Sequence, residues 1–393
     1  MAAADLPDLL RRIQEAEVVD VCRRLVQIKS VNPPGDELAL AEYVAGLLRE
    51  AGLAVELIAH GPQRASVLAR LEGSGKRPGL LYSAHLDTVP VGAERWLHDP
   101  FAGELADGKV WGRGAADMKG GMAAMLVATR VLAACGVPLE GDLLLAFTAG
   151  EEVDSLGAAA VAARPDLGPL QALIVSEPSS NELYVAEKGA LWLQLTTHGK
   201  TAHGSMPDLG HNAVMMMVAL LSELDRLPIP YTDDPLLGGF SRSINTINGG
   251  VKTNVVPDEC TATVDMRTVP GQDHRAVQRQ VEELIAGMAQ QSPHFRASLT
   301  VLNDRPPILT SPDLPIVRTF ADIMVEVTGR EPVPQGVRYY TDAAALVPVL
   351  KIPMIICGPG QAGLAHQPNE YVEVDKLVEA ARIFTLAAVR LLT

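Results

Sequence analysis

Gly79-Leu80-Leu81-Tyr82-Ser83-Ala84-His85-Leu86-Asp87-Thr88-Val89-Pro90 is the stretch on which the fold turns. Residues 79–82 read as a short buried strand, followed by a turn that carries His85 and Asp87. Side chains two apart share a face in extended chain, so the carboxylate can stand behind the imidazole. A carboxylate that accepts the far N–H of a metal-bound histidine fixes its tautomer and raises its basicity. Three further apolar runs end in the same way. Residues 141–148 lead into Glu151 and Glu152, residues 170–175 into Glu177, and residues 351–357 through Gly358-Pro359-Gly360 towards His366. Continuous apolar runs bounded by turn signals predict strands buried on both faces of a largely parallel sheet. Ligands of open α/β sheets gather beyond the carboxyl ends of the strands. That rule collects His85, Glu151, Glu152, Glu177 and His366 in one place.

The flanking pattern is consistent with that sheet. Apolar residues at near-helical spacing over 5–28 break at Asn32-Pro33-Pro34-Gly35, and a second helix over 36–51 has Gly52 as its left-handed stop. Residues 54–58 and 66–71 read as strands, 96–114 as a polar loop, and 118–134 as a helix apolar nearly all round. From Lys188 the pattern changes. Strand 190–197, helix 212–227, strands 241–247 and 260–268, helix 273–288 and strand 295–302 give the β-α-β-β-α-β order of a ferredoxin-like unit. Helices over 314–328 and 375–392 then resume the first pattern. The expected class is α/β: a mixed, largely parallel sheet with flanking helices, plus an inserted ferredoxin-like α+β unit. Residues 1–187 and 305–393 would form the catalytic domain, with 188–304 inserted.

Composition narrows the function. The chain has 393 residues, 48% hydrophobic and 20% charged, with a formal net charge of −14. Such acidity argues against a nucleic-acid or anionic-membrane surface, both of which need basic patches. Cys22, Cys135, Cys260 and Cys357 are scattered with no CxxC pair, which predicts free thiols in a reducing compartment. No signal pattern opens the sequence and no apolar run reaches membrane-spanning length, so a cytoplasmic location is expected. Gly112-x-Gly114 lacks the third glycine of a dinucleotide fingerprint and has Asp117 in its place, and Gly199-Lys200-Thr201 lacks the first glycine of a P-loop. HExxH, GxSxG and SxxK are absent.

What remains is a set of acids and imidazoles: His85, Asp87, Asp117, Glu151, Glu152, Glu177 and His366. Oxygen and nitrogen donors without cysteine suit two Zn²⁺ ions, or Co²⁺ or Mn²⁺, rather than a structural zinc. Five ligands shared between two ions require one carboxylate to bridge, and Asp117, at the mouth of a helix, is the natural candidate. The segments Ser83-Ala84-His85-Leu86-Asp87-Thr88-Val89-Pro90, Gly112-Arg113-Gly114-Ala115-Ala116-Asp117-Met118-Lys119-Gly120-Gly121, Thr148-Ala149-Gly150-Glu151-Glu152, Ser176-Glu177-Pro178 and Gly204-Ser205-Met206-Pro207 together resemble one family. It is the acetylornithine deacetylase, succinyl-diaminopimelate desuccinylase, aminoacylase and glutamate carboxypeptidase family of di-zinc hydrolases, whose fold is zinc-exopeptidase-like.

The resemblance implies His85, Asp117 and Glu177 on one metal and His366, Asp117 and Glu152 on the other. It implies that Asp87 orients His85, that Glu151 is the general base, and that the Asp117–Met118 peptide is cis. Water shared between two cations is acidified enough to furnish hydroxide at neutral pH, and Glu151 would take its proton and pass it to the leaving amine. The resemblance also makes 188–304 the lid and dimerisation domain, from which His203 would stabilise the oxyanion in a homodimer, and it makes 1–187 with 305–393 the metal-binding domain. Arg267, whose fork matches a carboxylate, and Asn245 would reach the substrate, while Thr341 and Gly358 would line the pocket. The expected reaction is hydrolysis of an N-acyl-L-amino acid. The alternatives are a carboxypeptidase or dipeptidase using the same site and, more remotely, a non-catalytic binding relative.

Overall fold

The central strand runs Gly79–His85, and every residue of it is buried. It lies between Leu143–Thr148 and Leu170–Val175, parallel to both. Met354–Ile356 extends the parallel set beside Leu170–Val175. On the other side Arg64–Leu71 pairs antiparallel with Leu143–Thr148, and Ala54–Gly61 pairs antiparallel with Arg64–Leu71. The sheet is therefore mixed, with a parallel centre whose carboxyl ends all point one way. Helices Gly120–Ala134 and Val374–Leu392 pack on each other and on Gly79–His85. Their Leu, Met, Val and Ile side chains are buried, each contributing about 1.5–3 kcal/mol. Tyr82 crosses this layer and donates its hydroxyl to the Phe384 carbonyl.

The structure, a computed structural model, describes residues 6–393. The chain divides into two compact units, Met1–Ala186 with Leu309–Gln335 and Thr341–Thr393, and Glu187–Ile308 with Gly336–Tyr340. The sheet centred on Gly79–His85 belongs to the first. In the second, four antiparallel strands are ordered Ser241–Gly249, Glu259–Thr268, Gly189–His198, Ala297–Arg305. Helices Ala213–Arg226 and His274–Gln291 complete the ferredoxin-like order. Asn212 and Asp273 cap them by accepting from the Met215 and Arg275 N–H groups. Leu191, Leu193, Leu220, Val264 and Met266 are among the residues of the shared core. Ser241–Gly249 is an edge strand, exposed over most of its length.

Several elements differ from expectation for identifiable reasons. The first helical stretch is two helices, Leu6–Arg11 and Glu15–Gln27, separated where Gln14 is extended and its amide donates to the open Arg11 carbonyl. The loop over 96–114 contains a hairpin, Glu104–Ala106 with Lys109–Trp111. Its turn is Asp107-Gly108, both at positive φ (53° and 69°), a hairpin signal of the Asp-Gly type not used in the sequence reading. The long helix begins at Gly120, preceded by a distorted turn over Ala115–Lys119 in which Asp117–Met118 is cis. Helices Leu156–Ala162 and Ala343–Leu350 were not anticipated: the first is short and Ala-rich, and the second holds an interior Pro348. Among the described residues no helix is long and apolar enough to cross a membrane, and all four cysteines are free.

Candidate metal centre

Three strands of the parallel centre deliver polar side chains at or just beyond their carboxyl ends. His85 closes Gly79–His85, Glu151 and Glu152 follow Leu143–Thr148, and Glu177 follows Leu170–Val175. Beyond Met354–Ile356, Gly358 allows a close approach: a Cβ there would lie 2.1 Å from the Ser176 carbonyl oxygen and 2.5 Å from that of Glu177. At Gly360 a Cβ would lie 2.2 Å from the Ala116 carbonyl oxygen. These two glycines bring the loop that leads to His366 against the turns bearing Glu177 and Asp117.

The structure brings His85, Asp117, Glu151, Glu152, Glu177 and His366 together. His85 Nε2 is 3.0 Å from Asp117 Oδ1 and 3.8 Å from Glu177 Oε1. His366 Nε2 is 3.4 Å from Asp117 Oδ2 and 3.1 Å from Glu152 Oε2. The two oxygens of Asp117 thus face two different imidazoles. His85, Asp117 and Glu152 form one group whose donor atoms lie within 4.8 Å of one another, and His85, Glu151 and Glu177 form a second. The His85 Nδ1–H is taken by the Asp87 backbone carbonyl at 2.9 Å, while Nδ1 lies 3.8 Å from Asp87 Oδ1. Asp87 therefore orients His85 mainly through its main chain, leaving Nε2 aimed at the carboxylates.

The Asp87 carboxylate has other work. Oδ1 accepts from the N–H groups of Gly150 and Glu151 at 3.0 and 3.1 Å. Oδ2 accepts from the Glu152 N–H at 3.2 Å and from Asn32 Nδ2 at 2.9 Å. One buried carboxylate fixes the backbone of both glutamates.

The electrostatics are those of crowded acids. Burial, then the charge of Glu177, pushes Glu151 well above the usual carboxylate range; burial, then Asp117, does the same to Glu177. Burial raises Asp342 to about 6. Burial also acts against charge on Asp117, but the hydrogen bonds of His366 and His85 outweigh it and hold its carboxyl well below the usual range. The bonds to Asp117 and then Glu152 lift His366 to about 10. Burial opposes a charge on His85, yet the Asp117 bond and the charge of Glu177 hold it well above its ordinary value. Asp117, Glu151, Glu152, Glu177 and Asp342 outnumber the two imidazoles. Buried like charges at this density call for cations, and an all oxygen-and-nitrogen donor set fits a divalent transition metal.

The remaining expected residues fall in two places. Thr341 is fully buried and accepts from the Ala343 N–H at 3.0 Å, starting helix Ala343–Leu350. His203, Asn245 and Arg267 belong to the second unit. His203 Nδ1 lies 2.7 Å from Ser205 Oγ and 3.2 Å from the Ser205 backbone nitrogen. Asn245 Oδ1 accepts from Ser243 Oγ, leaving its amide N–H groups to donate. Arg267 faces Asp265, with Nε at 3.0 Å from Oδ1. Sequence reasoning missed Glu370, whose Oε1 accepts from the Ala116 and Asp117 N–H groups at 2.8 and 2.9 Å. It also missed Asp342, which accepts from Thr148 Oγ1. The signal for Asp342 was its place directly after Thr341, which the sequence had singled out; nothing local marks Glu370.

Residues 81–390 match the model of peptidase family M20/M25/M40. The chain is 30% identical over 385 residues to a probable succinyl-diaminopimelate desuccinylase of Staphylococcus epidermidis, covering 91% of this chain and 94% of that one. It is 30% identical over 358 residues to an acetylornithine deacetylase of Myxococcus xanthus, covering 88% and 90%. An M20 family metallo-carboxypeptidase from Sulfolobus solfataricus shares the fold with a TM-score of 0.78 at 19% identity, over 95% of this chain and 98% of that one. A sheet whose strand ends converge on paired imidazoles and a shared aspartate thus agrees with the sequence match along most of the chain: it belongs to peptidase family M20/M25/M40 and is a metal-dependent hydrolase of amide bonds.

Proposed function

We propose that this enzyme hydrolyses the amide bond of an N-acyl-L-amino acid, in the manner of a deacetylase or desuccinylase. The carrying observation is the aspartate between two imidazoles: Asp117 Oδ1 faces His85 and Oδ2 faces His366. This supports two divalent cations, zinc by preference with Co²⁺ or Mn²⁺ as substitutes, held by His85, Asp117 and Glu177 and by His366, Asp117 and Glu152. When bound, such ions polarise the scissile carbonyl and acidify water.

Glu151 is assigned as the general base. Its burial among acids raises its proton affinity, so a carboxylate oxygen can accept a proton from the attacking water and return it to the amine nitrogen as the C–N bond breaks. His203 is assigned to the oxyanion because its imidazole is exposed and a ring N–H is a suitable donor to developing negative charge. Arg267 and Asn245 are assigned to the substrate's polar groups on the donors each presents, and Gly358 to the shape of the pocket wall. A homodimer through the second unit is supported by the exposed edge strand Ser241–Gly249.

The test is metal content and amidase activity on one purified sample, before and after chelation. The panel would be N-acetylornithine, N-succinyl-diaminopimelate, N-acetylmethionine, a folate-like glutamate conjugate and a dipeptide. About two metal equivalents, with activity lost on chelation and restored by Zn²⁺ or Co²⁺ on an N-acyl amino acid, is the expected result. Turnover of only the dipeptide or the glutamate conjugate would replace the deacylase reading with a carboxypeptidase or dipeptidase. No bound metal and no rescue would overturn the site.

A further inference from the structure

Arg113 and Glu370 form a buried ion pair beside the metal centre, with side chains 3% and 0% exposed and Nη1 to Oε2 at 2.6 Å. Neither carries a role in the chemistry above. Removing two charges from water is costly, and an apolar pair of similar volume would often stabilise a protein as well. The pair's outward bonds suggest why it is there. Glu370 Oε1 accepts the N–H groups of Ala116 and Asp117 at 2.8 and 2.9 Å, clasping the turn that bears Asp117. The Arg113 fork reaches the other way. Nη2 donates to the His366 carbonyl and to the Pro90 carbonyl, each at 3.3 Å, and Nη1 donates to the Gln367 carbonyl at 3.2 Å. Trp96 covers the guanidinium plane, with its ring centroid 5.0 Å from the central carbon.

His366 needs such a hold. It sits at φ 64° on a loop with no strand or long helix of its own, and half of its side chain is exposed. His85, by contrast, ends a fully buried strand. We propose that Arg113 and Glu370 are positioning residues that lock the His366 backbone to the Asp117 turn, and so set the geometry of the His366–Asp117–Glu152 cation site selectively. Arginine suits the task because its planar fork bonds the carboxylate and several carbonyls at once, which a lysine cannot. The inference rests on the reading that His366, Asp117 and Glu152 hold a cation.

The experiment is titration of the metal-free protein with Co²⁺ alone, followed by visible absorption and calorimetry, for the wild type and three variants. His366→Ala defines which of two binding steps belongs to the His366 site. Arg113→Lys keeps the ion pair but loses the fork. The double variant Arg113→Met with Glu370→Gln strands no charge and keeps an amide oxygen for the Ala116 and Asp117 N–H groups. Both are expected to weaken the step that His366→Ala abolishes by about ten- to a hundredfold, the usual scale for partners of metal ligands. The other step, and the unfolding midpoint of the metal-free protein, should stay at wild-type values. A wild-type second step in both variants overturns the proposal. So does an equal loss in both steps with a lowered midpoint, which would mark the pair as general scaffolding. If His366→Ala itself leaves both steps intact, the metal-site reading fails and this inference falls with it.

Discussion

Exchange of Asp87 for Asn is a sharp test of how the two glutamates are held. The carboxylate accepts from Gly150, Glu151 and Glu152 N–H groups and from Asn32 Nδ2, two donors on each oxygen. An asparagine retains one acceptor oxygen. If it faces Gly150 and Glu151, its new NH₂ confronts the Glu152 N–H and the Asn32 amide. Asn32 can rotate to present its own oxygen, so a single N–H, that of Glu152, is stranded. An unsatisfied buried donor costs about 1–3 kcal/mol, and the surviving bonds fall from charge-assisted to neutral strength, about 1 kcal/mol each. Losing a negative charge beside Glu151 and Glu152 offsets part of this. The net expectation is destabilisation of the metal-free protein by about 2 kcal/mol. With the Glu151–Glu152 turn loosened, a shift of about an ångström would lower kcat/KM roughly a hundredfold. Urea unfolding followed by circular dichroism and steady-state kinetics at saturating metal measure the two effects. Asp87→Ala strands every donor at once and must be worse on both. An Asp87→Asn protein within about 0.5 kcal/mol of wild type, with unchanged kcat/KM, would refute the hydrogen-bond reasoning.

Other outcomes follow from single residues. Glu151→Gln keeps shape and removes the base, so kcat should fall by about 10²–10⁴ while metal content by elemental analysis stays at wild type; persistent turnover would show that another group moves the proton. Gly358→Ala places a Cβ 2.1 Å from the Ser176 carbonyl oxygen, and forcing the two loops apart should cost about 1–3 kcal/mol in chemical denaturation and weaken activity with it. Burial pushes the Cys22 thiol up to about 12 and shuts Cys260 and Cys357 away with it, while Cys135 is only partly buried. Alkylation at pH 8 read by peptide mass spectrometry should label Cys135 first and the others only after denaturation. Early labelling at Cys22 would contradict the packing of helix Glu15–Gln27.

How far the sequence can be read depends on the distance over which each feature is encoded. Leu170–Val175 was legible to the residue because an apolar run between turns has no other stable place in an α/β chain. The convergence of His85, Glu151, Glu152 and Glu177 followed from one rule about strand ends, since parallel strands share a direction. Local chemistry that was overlooked, such as the Asp107-Gly108 hairpin, could have been read with the same tools. Glu370 is different in kind. It accepts the Asp117 N–H across 253 residues of sequence, and no pattern near residue 370 shows that a backbone donor waits there. The same holds for Asp87: spacing alone pointed its carboxylate at the nearest histidine, whereas its acceptors are used 55 to 65 residues away and the histidine is served by the main chain. Side chains that meet periodic structure can be inferred from period. Those that satisfy single buried N–H groups are fixed only when the chain closes on itself, because any acceptor of the right reach would serve and the fold selects which one does.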